Sequence, residues 1–265
     1  MNPHALDGRV VVVIGGTTGL GLAGVMACLR VGARVVTIGL DEASVAAVRE
    51  QLGARGEAVA ADARDPDTAP AAIAQAIERF GRFDALYHVA GGSGRAAGDG
   101  PIDAMTDEGW HATMALNVTS VAWSNRAALR AFLQRGHGGS ILNLTSVLAW
   151  APSPCHFATH AYAAAKAGII GLTRACAARY APAGIRVNAL APGLVETPMA
   201  RRAAEDGTIM SVVRQRQALG GGRIGHPTDL DEAVVFFLSD RSGFTTGQVL
   251  AIDGGWTVRD AVEDS

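Results

Sequence analysis

The amino-acid sequence predicts an α/β fold: a doubly wound parallel sheet with helices on both faces, formed as one domain by residues 1–265. Three observations predict it. Short, nearly all-apolar runs rich in β-branched residues alternate with longer alanine-rich stretches of helical periodicity, and strands this apolar are typical of parallel sheets covered on both faces. A glycine-rich turn directly follows the first apolar run. No fixed repeat and no proline- or serine-rich linker divides the chain.

Each predicted element follows from its own stretch of sequence. The strands are the apolar runs over 9–14, 34–38, 58–60, 85–89, 140–144, 186–190 and 249–252. The helical patterns between them cover 19–31, 42–52, 67–80, 106–134, 161–181 and 228–238. Three less regular regions, 91–102, 147–160 and 196–225, follow strands, where a doubly wound sheet places its ligand crevice. We expect the third, about 196–225, to form a lid over a substrate.

Composition excludes several classes of protein. The net charge is only −2, so no polybasic footprint indicates a nucleic acid or an anionic membrane. The apolar run 10–14 is too short for a membrane span or a signal-peptide core. Three cysteines, Cys28, Cys155 and Cys176, lack paired or CxxC spacing, which favours a reducing compartment. We therefore expect a cytoplasmic protein.

The first strand ends in the turn Gly-Gly-Thr-Thr-Gly-Leu-Gly, from Gly15 to Gly21. Glycines allow a tight turn and let backbone N–H groups approach a pyrophosphate at a helix N-terminus. Because this turn opens an alternating α/β chain, it predicts a Rossmann-like dinucleotide site. A purely structural turn is the alternative, and the absence of GxxxxGK[ST] disfavours a Walker-type nucleotide site.

Tyr162 and Lys166 form the second signal. They lie four residues apart at the start of a predicted helix and therefore share one of its faces. Lys166 is the one lysine among 23 basic residues, and chance would place it four residues after a tyrosine only about 1% of the time. A tyrosine that exchanges protons near neutral pH needs its pKa lowered by roughly 2–3 units from about 10. We expect a nearby ammonium and an oxidised nicotinamide to lower it. A surface Tyr–Lys pair is the alternative.

Together these motifs resemble the short-chain dehydrogenase/reductase family in its compact single-domain branch, over roughly residues 7–256. The turn is similar to the family's TGxxxGxG, with Ile14 in place of the usual threonine, and Tyr162 and Lys166 match its YxxxK. The closing Asp253-Gly-Gly is also similar. The resemblance implies that Ser146 binds the substrate oxygen and that Asn117 positions a water linking the lysine to solvent.

The resemblance also implies a cofactor site, with Asp62 at the adenine and Thr197 at the nicotinamide carboxamide. Each has a structural alternative, since Asp62 could begin a turn and Thr197 could cap a helix. The full set of expected cofactor-binding residues is Gly15, Thr17, Thr18, Gly19, Leu20, Gly21, Asp41, Asp62, Ala63, Ala90, Gly91, Tyr162, Lys166, Pro192, Gly193, Val195 and Thr197.

Two departures from the family pattern stand out. The family's NNAG is His88-Val-Ala-Gly91 here, so the bonds of two asparagines must be replaced. The interval from Ser146 to Tyr162 is longer than usual, which we expect to reshape the pocket wall without changing the chemistry.

The second strand bears on the choice between NAD and NADP. An acidic residue at its end usually binds the ribose 2′-OH, and a basic one favours a 2′-phosphate. Gly39 stands at that position, followed by Leu40, Asp41 and Glu42, with no arginine beside it. Two carboxylates without a cation would repel a phosphate, so we expect NAD(H) over NADP(H). The alternative for Asp41 is a helix cap.

Cys155, His156 and His160 cluster before Tyr162. Zinc sites need three or four ligands at regular spacing, and no further partner is evident, so we expect no metal. The arginines at 201, 202, 214, 216 and 223 are interpreted as a solvated face, with an anionic substrate as the alternative.

These features predict an oxidoreductase that transfers hydride between NAD(P)(H) and a secondary alcohol or ketone, with Tyr162 as general acid/base. We expect a small-molecule substrate and a homo-oligomer, a dimer or tetramer joined through the helices over 106–134 and 161–181, and no nucleic-acid or membrane partner. A non-catalytic dinucleotide sensor on the same scaffold is the alternative, as is an enoyl reductase, although enoyl reductases of the family usually space Tyr and Lys more widely.

Overall fold

One sheet of parallel strands forms the centre of the computed structural model, which describes residues 4–259; residues 1–3 and 260–265 of the predicted domain lie outside that part. The strands are β1 (Val10–Ile14), β2 (Arg34–Gly39), β3 (Gly56–Ala60), β4 (Ala85–His88), β5 (Gly139–Leu144), β6 (Ile185–Pro192) and β7 (Val249–Ile252). Their order is β3-β2-β1-β4-β5-β6-β7, and every pairing is parallel. The predicted doubly wound α/β fold is confirmed.

Helices cover both faces of this sheet. They are α1 (Gly19–Arg30), α2 (Glu42–Leu52), α3 (Thr68–Phe80), α4 (Asp107–Met114), α5 (Ser120–Arg135), α6 (His160–Tyr180), α7 (Arg201–Glu205), α8 (Gly207–Arg216), α9 (Leu219–Gly222) and α10 (Asp231–Leu238). One apolar core joins α1, α2 and α10 to the sheet, and a second joins α3, α5 and the end of α6 to its other face. The strands read as continuous apolar runs because both of their faces are buried.

The strand order reverses between β1 and β4. The chain moves from β1 outward to β3, then crosses back to β4 and continues toward β7. Loops leaving β1 and β4 therefore diverge to opposite faces, and a crevice opens beyond their carboxyl ends. This topology places the ligand site.

Two predicted regions differ from expectation. The helix expected over 106–134 contains a π-helical turn at Ala115–Thr119 between α4 and α5, which apolar periodicity does not reveal. The region 196–225, expected to be one of three less regular regions, contains α7 and α8, which bury a third apolar cluster against Val147 and Trp256. Among residues 4–259, no helix is long and apolar enough to span a bilayer.

Candidate active site

The glycine turn after β1 provides a cradle for an anion. Gly15 has φ +90°, and a Cβ there would lie 2.5 Å from the backbone nitrogen of Ala90. A Cβ on Gly21 would lie 1.9 Å from the carbonyl oxygen of Gly15, so only glycine lets the turn and α1 approach this closely. No side chain caps α1 at Thr18, and its first turn holds no acidic residue. The positive end of α1 is thus available to a pyrophosphate, and the residues fit a dinucleotide.

A cavity of about 650 Å³ extends from this cradle across the carboxyl ends of the strands. All but one of the predicted catalytic and cofactor-binding residues line it. The exception is Asn117, which is fully buried behind the cavity wall. The sheet therefore brings together residues from almost the full length of the chain.

Ser146, Tyr162 and Lys166 meet at one end of this cavity. Ser146 follows β5, and its hydroxyl accepts a hydrogen bond from the backbone N–H of Leu148 at 3.2 Å. Lys166 donates from Nζ to the carbonyl oxygen of Leu144 at 2.9 Å, and its Nζ lies 5.5 Å from the centre of the Tyr162 ring. The phenol and the serine hydroxyl can therefore act on one substrate oxygen, and the lysine lies close enough to act on the phenol.

Burial dominates the protonation of this pair. Burial raises the pKa of Tyr162 to about 12, and the neighbouring Ser146 hydroxyl counteracts only part of that rise. Burial also lowers the pKa of Lys166 to about 7. Desolvation disfavours both charged forms, and the expected lowering of the Tyr162 pKa by the ammonium together with an oxidised nicotinamide stays a prediction.

Asp99 holds the start of α6, and sequence reasoning did not identify it. It is buried, and its carboxylate oxygens accept hydrogen bonds from the backbone N–H groups of Ala161 and Tyr162, each at 3.0 Å. It therefore caps the helix that carries the tyrosine, from the loop after β4. A carboxylate at a helix N-terminus is stabilised by the helix dipole, but its sequence distance from α6 hid the contact.

Asn117 lies in the π-helical turn. Its side-chain amide donates to the carbonyl oxygen of Gly92 at 2.9 Å and to that of Thr113 at 2.8 Å, and its Oδ1 accepts from the N–H of Gly92 at 3.2 Å. The side chain thus braces the loop after β4. The backbone carbonyl of Asn117 accepts a bond from the Ser120 hydroxyl at 3.1 Å.

His88 stands at the first of the two positions where the family has asparagine and makes polar contacts of its own. It is fully buried, with Nδ1 2.6 Å from the Ser124 hydroxyl and Nε2 3.2 Å from the carbonyl oxygen of Ala90. The Ser120 hydroxyl lies 3.3 Å from Nε2. Burial, and next the charge of Lys166, lower the pKa of His88 to about 3. A neutral imidazole therefore joins β4 to α5.

The carboxyl ends of β2 and β3 form the far end of the cavity. Asp41 caps α2, accepting from the backbone N–H of Ser44 at 2.8 Å, and hydrogen bonds from Ser44 lower the pKa of its carboxyl group. Arg64 also lines this end and is paired with Asp62, Nη2 to Oδ2 at 2.5 Å. The expectation that no cation is present there is wrong, because Arg64 lines the same end of the cavity as Asp41.

The region expected to form a lid is attached to the sheet by Gln217. This buried side chain accepts from the N–H of Leu194 and donates to its carbonyl oxygen at 3.1 Å. Thr197 lies over the glycine turn, 3.2 Å from where a Cβ on Gly19 would be. The contacts join the end of β6 to α8.

The cluster before Tyr162 is dispersed. Cys155 is exposed, and Nδ1 of His160 accepts a hydrogen bond from the backbone N–H of Ile102 at 3.0 Å. Among residues 4–259, no three His, Cys, Asp or Glu side chains are grouped to hold a metal ion.

Comparison with known proteins finds one matching family model and relatives named as dehydrogenases. A family model described as enoyl-(acyl carrier protein) reductase matches residues 15–257. The 3beta-hydroxysteroid dehydrogenase 2 of Eggerthella lenta is 33% identical over 264 residues, covering 97% of each chain. The 2-(S)-hydroxypropyl-CoM dehydrogenase 3 of Xanthobacter autotrophicus is 38% identical over 259 residues, covering 96% of this chain and 98% of the relative.

Solved structures agree with these relatives. A short-chain type dehydrogenase/reductase from Mycobacterium ulcerans superposes with a TM-score of 0.89 at 28% identity, covering 97% of this chain and 92% of that one. The likeness therefore spans the entire sheet and both helical layers.

The buried His88 generates a prediction about acid stability. Its pKa is about 3 in the folded protein and about 6.5 in an unfolded chain. Between these values only the unfolded state takes up the proton, so this stabilisation is complete above pH 6.5 and is lost as the pH falls toward 3. From pH 7 to pH 5, the free energy of unfolding should fall by about 2 kcal/mol more in the wild type than in His88→Asn. Urea denaturation at both pH values measures this.

The matched control is His137→Asn, an exposed histidine in the loop before β5. That variant should keep the wild-type pH dependence. Equal slopes for wild type and His88→Asn would show that His88 is not held neutral.

Proposed function

This chain belongs to the short-chain dehydrogenase/reductase family, and from that premise we propose that Ser146, Tyr162 and Lys166 carry its catalysis. It is an NAD(P)-dependent oxidoreductase acting on an alcohol or a ketone. Both relatives carry dehydrogenase names, which favours the enzyme over a non-catalytic sensor. The observation that carries the proposal is the convergence of a serine hydroxyl, a phenol and an ammonium on one cavity with the glycine cradle.

The residues divide the work in carbonyl reduction. The hydroxyls of Ser146 and Tyr162 donate hydrogen bonds to the substrate oxygen, and the phenol gives that oxygen its proton. A bound nicotinamide supplies the hydride and, in its oxidised form, a positive charge beside the phenol. Lys166, held at Leu144, stabilises the phenolate that remains, because attraction between opposite charges is strong where water is excluded. Alcohol oxidation runs the same proton transfer in reverse.

Removing the phenol hydroxyl tests this assignment. Tyr162→Phe should lower kcat at least about a hundredfold, the usual contribution of a positioned proton donor, while the affinity for the dinucleotide changes little. Steady-state kinetics on a ketone panel and calorimetric titration with NADH measure the two effects. Tyr180→Phe, at the end of α6, is the matched control and should behave as wild type. Wild-type turnover by Tyr162→Phe would refute the role.

We further propose NAD(H) as the preferred cofactor. At the far end of the cavity, Arg64 is paired with Asp62, and Asp41 forms no ion pair with any residue of the described range. A carboxylate favours a ribose hydroxyl over a phosphate dianion. We expect kcat/KM for NAD(H) to exceed that for NADP(H). A preference for NADP(H) above about tenfold, or 1.4 kcal/mol, would overturn this.

We also propose a homo-oligomer, a dimer or tetramer joined through α4–α5 and α6, in a reducing cytoplasm. Ala164, Ala167 and Gly171 are exposed on α6, and such small side chains allow close approach of a second helix. Cys28, Cys155 and Cys176 are free thiols, as that compartment favours. Sedimentation velocity at micromolar concentration should give a species of two or four chains, and a single monomeric species would contradict it.

A further inference from the structure

We propose that Arg95 and Arg202 form a binding site for an anionic group of the substrate, a carboxylate, a sulfonate or a phosphate. This inference rests on the proposed function and names the substrate class of the same cavity. The two arginines come from separate elements: Arg95 lies in the loop after β4 and Arg202 on α7. Both line the cavity that holds Ser146 and Tyr162.

The two guanidinium groups converge on one acceptor. Nη2 of Arg95 donates to the carbonyl oxygen of His156 at 3.1 Å, and Nη2 of Arg202 donates to the same oxygen at 3.2 Å. The two nitrogens therefore lie no farther apart than the sum of those distances. The remaining N–H groups of both side chains make no hydrogen bond to any other residue in the described range 4–259, so several donors are available to a ligand.

The pair lacks a neutralising carboxylate. Neither arginine forms an ion pair within the described part of the chain. Asp99 is the acidic residue whose charge raises the pKa of Arg95. Both of its carboxylate oxygens already accept hydrogen bonds from backbone N–H groups of α6. Burial and then the charge of Arg202 lower the pKa of Arg95, as expected for like charges held together. A bound anion would offset this repulsion, and guanidinium groups match planar carboxylates and phosphates in geometry.

Three other arginines of the region expected to form the lid differ from this pair. Arg223 is paired with Asp229, and Arg216 stacks over the Trp256 ring at 4.5 Å. Arg201, next to Arg202, does not line the cavity. Arg95 and Arg202 are thus distinguished from a generally basic surface by convergence within the cavity.

The other residues that line the cavity indicate the chemistry of the substrate portion that carries the anionic group. Leu148, Phe157, Met199 and Trp256 line it together with the two arginines, whereas the pyrophosphate cradle lies at the start of α1. The geometry fits a substrate with a hydroxyl or ketone at Ser146 and Tyr162, an apolar body, and one anionic end.

The experiment compares keto acids of four to eight carbons, with the ketone at each position, against their methyl esters. Wild type, Arg95→Gln, Arg202→Gln and the double variant are assayed with saturating NADH or NADPH, with Arg201→Gln as the matched control. In the wild type, kcat/KM for the preferred keto acid should exceed that for its ester at least about tenfold. In each single variant the kcat/KM for the keto acid should fall about tenfold, and in the double variant about a hundredfold, chiefly because KM rises. Turnover of the esters, KM for the dinucleotide and Arg201→Gln should stay within about twofold of wild type.

The outcomes separate the possibilities. Equal turnover of acids and esters by the wild type would overturn the inference and leave the proposed function standing. A rise in the KM for the dinucleotide in the variants would show that the two arginines bind cofactor phosphates, which overturns the inference. An equal loss of kcat/KM on acids and esters together with a lower Tm would show that the two arginines only stabilise the fold, which also overturns it. If no ketone is reduced, the proposed function fails, and calorimetric titration with hexanoate and hexanol tests the anion site by itself. Binding of hexanoate that the double variant abolishes supports the anion site. Absence of hexanoate binding overturns it.

Discussion

The attachment of α6 to the end of β5 is the constraint on which the active site depends. Nζ of Lys166 donates to the carbonyl oxygen of Leu144, and the Thr145 hydroxyl donates to the carbonyl oxygen of Lys166 at 2.7 Å. Asp99 holds the first turn of the same helix from the loop after β4. These bonds are buried, so they fix Tyr162 relative to both the sheet and the cradle. A shift of α6 along the strand would move the phenol and the ammonium away from the substrate oxygen together.

The burial of Tyr162 and Lys166 also determines their pKa values. It raises the pKa of Tyr162 to about 12 and lowers that of Lys166 to about 7, because a dry site disfavours each charge in isolation. A phenolate and an ammonium formed side by side stabilise one another strongly in such a site. The phenol is therefore held protonated, and the positive charge of an oxidised nicotinamide would favour the phenolate when that cofactor is bound. Paired charges are favoured there over single ones.

The sheet tolerates an unusual residue because its surroundings compensate. His88 takes a place where the family has asparagine, and Ser120 and Ser124 of α5 provide hydroxyls for its ring. The π-helical turn at Ala115–Thr119 lies directly before these serines. It leaves Asn117 free to bind both backbone groups of Gly92. The loop after β4, the π-helical turn and the end of β4 are thus joined without either asparagine of the family motif.

What the sequence by itself determined was the local part of the structure. The apolar runs predicted the seven strands, the glycines from Gly15 to Gly21 predicted the cradle, and the spacing of Tyr162 and Lys166 placed both on one helical face, because these signals act over a few residues. Only the tertiary structure decided which distant residues meet. Asp99 caps α6 from 62 residues away, Arg64 lines the cavity beyond the end of β3, and Arg95 meets Arg202 at a single carbonyl oxygen. The desolvation that raises the pKa of Tyr162 was likewise decided by the tertiary structure, since desolvation depends on everything packed around a group and no short pattern of residues encodes it.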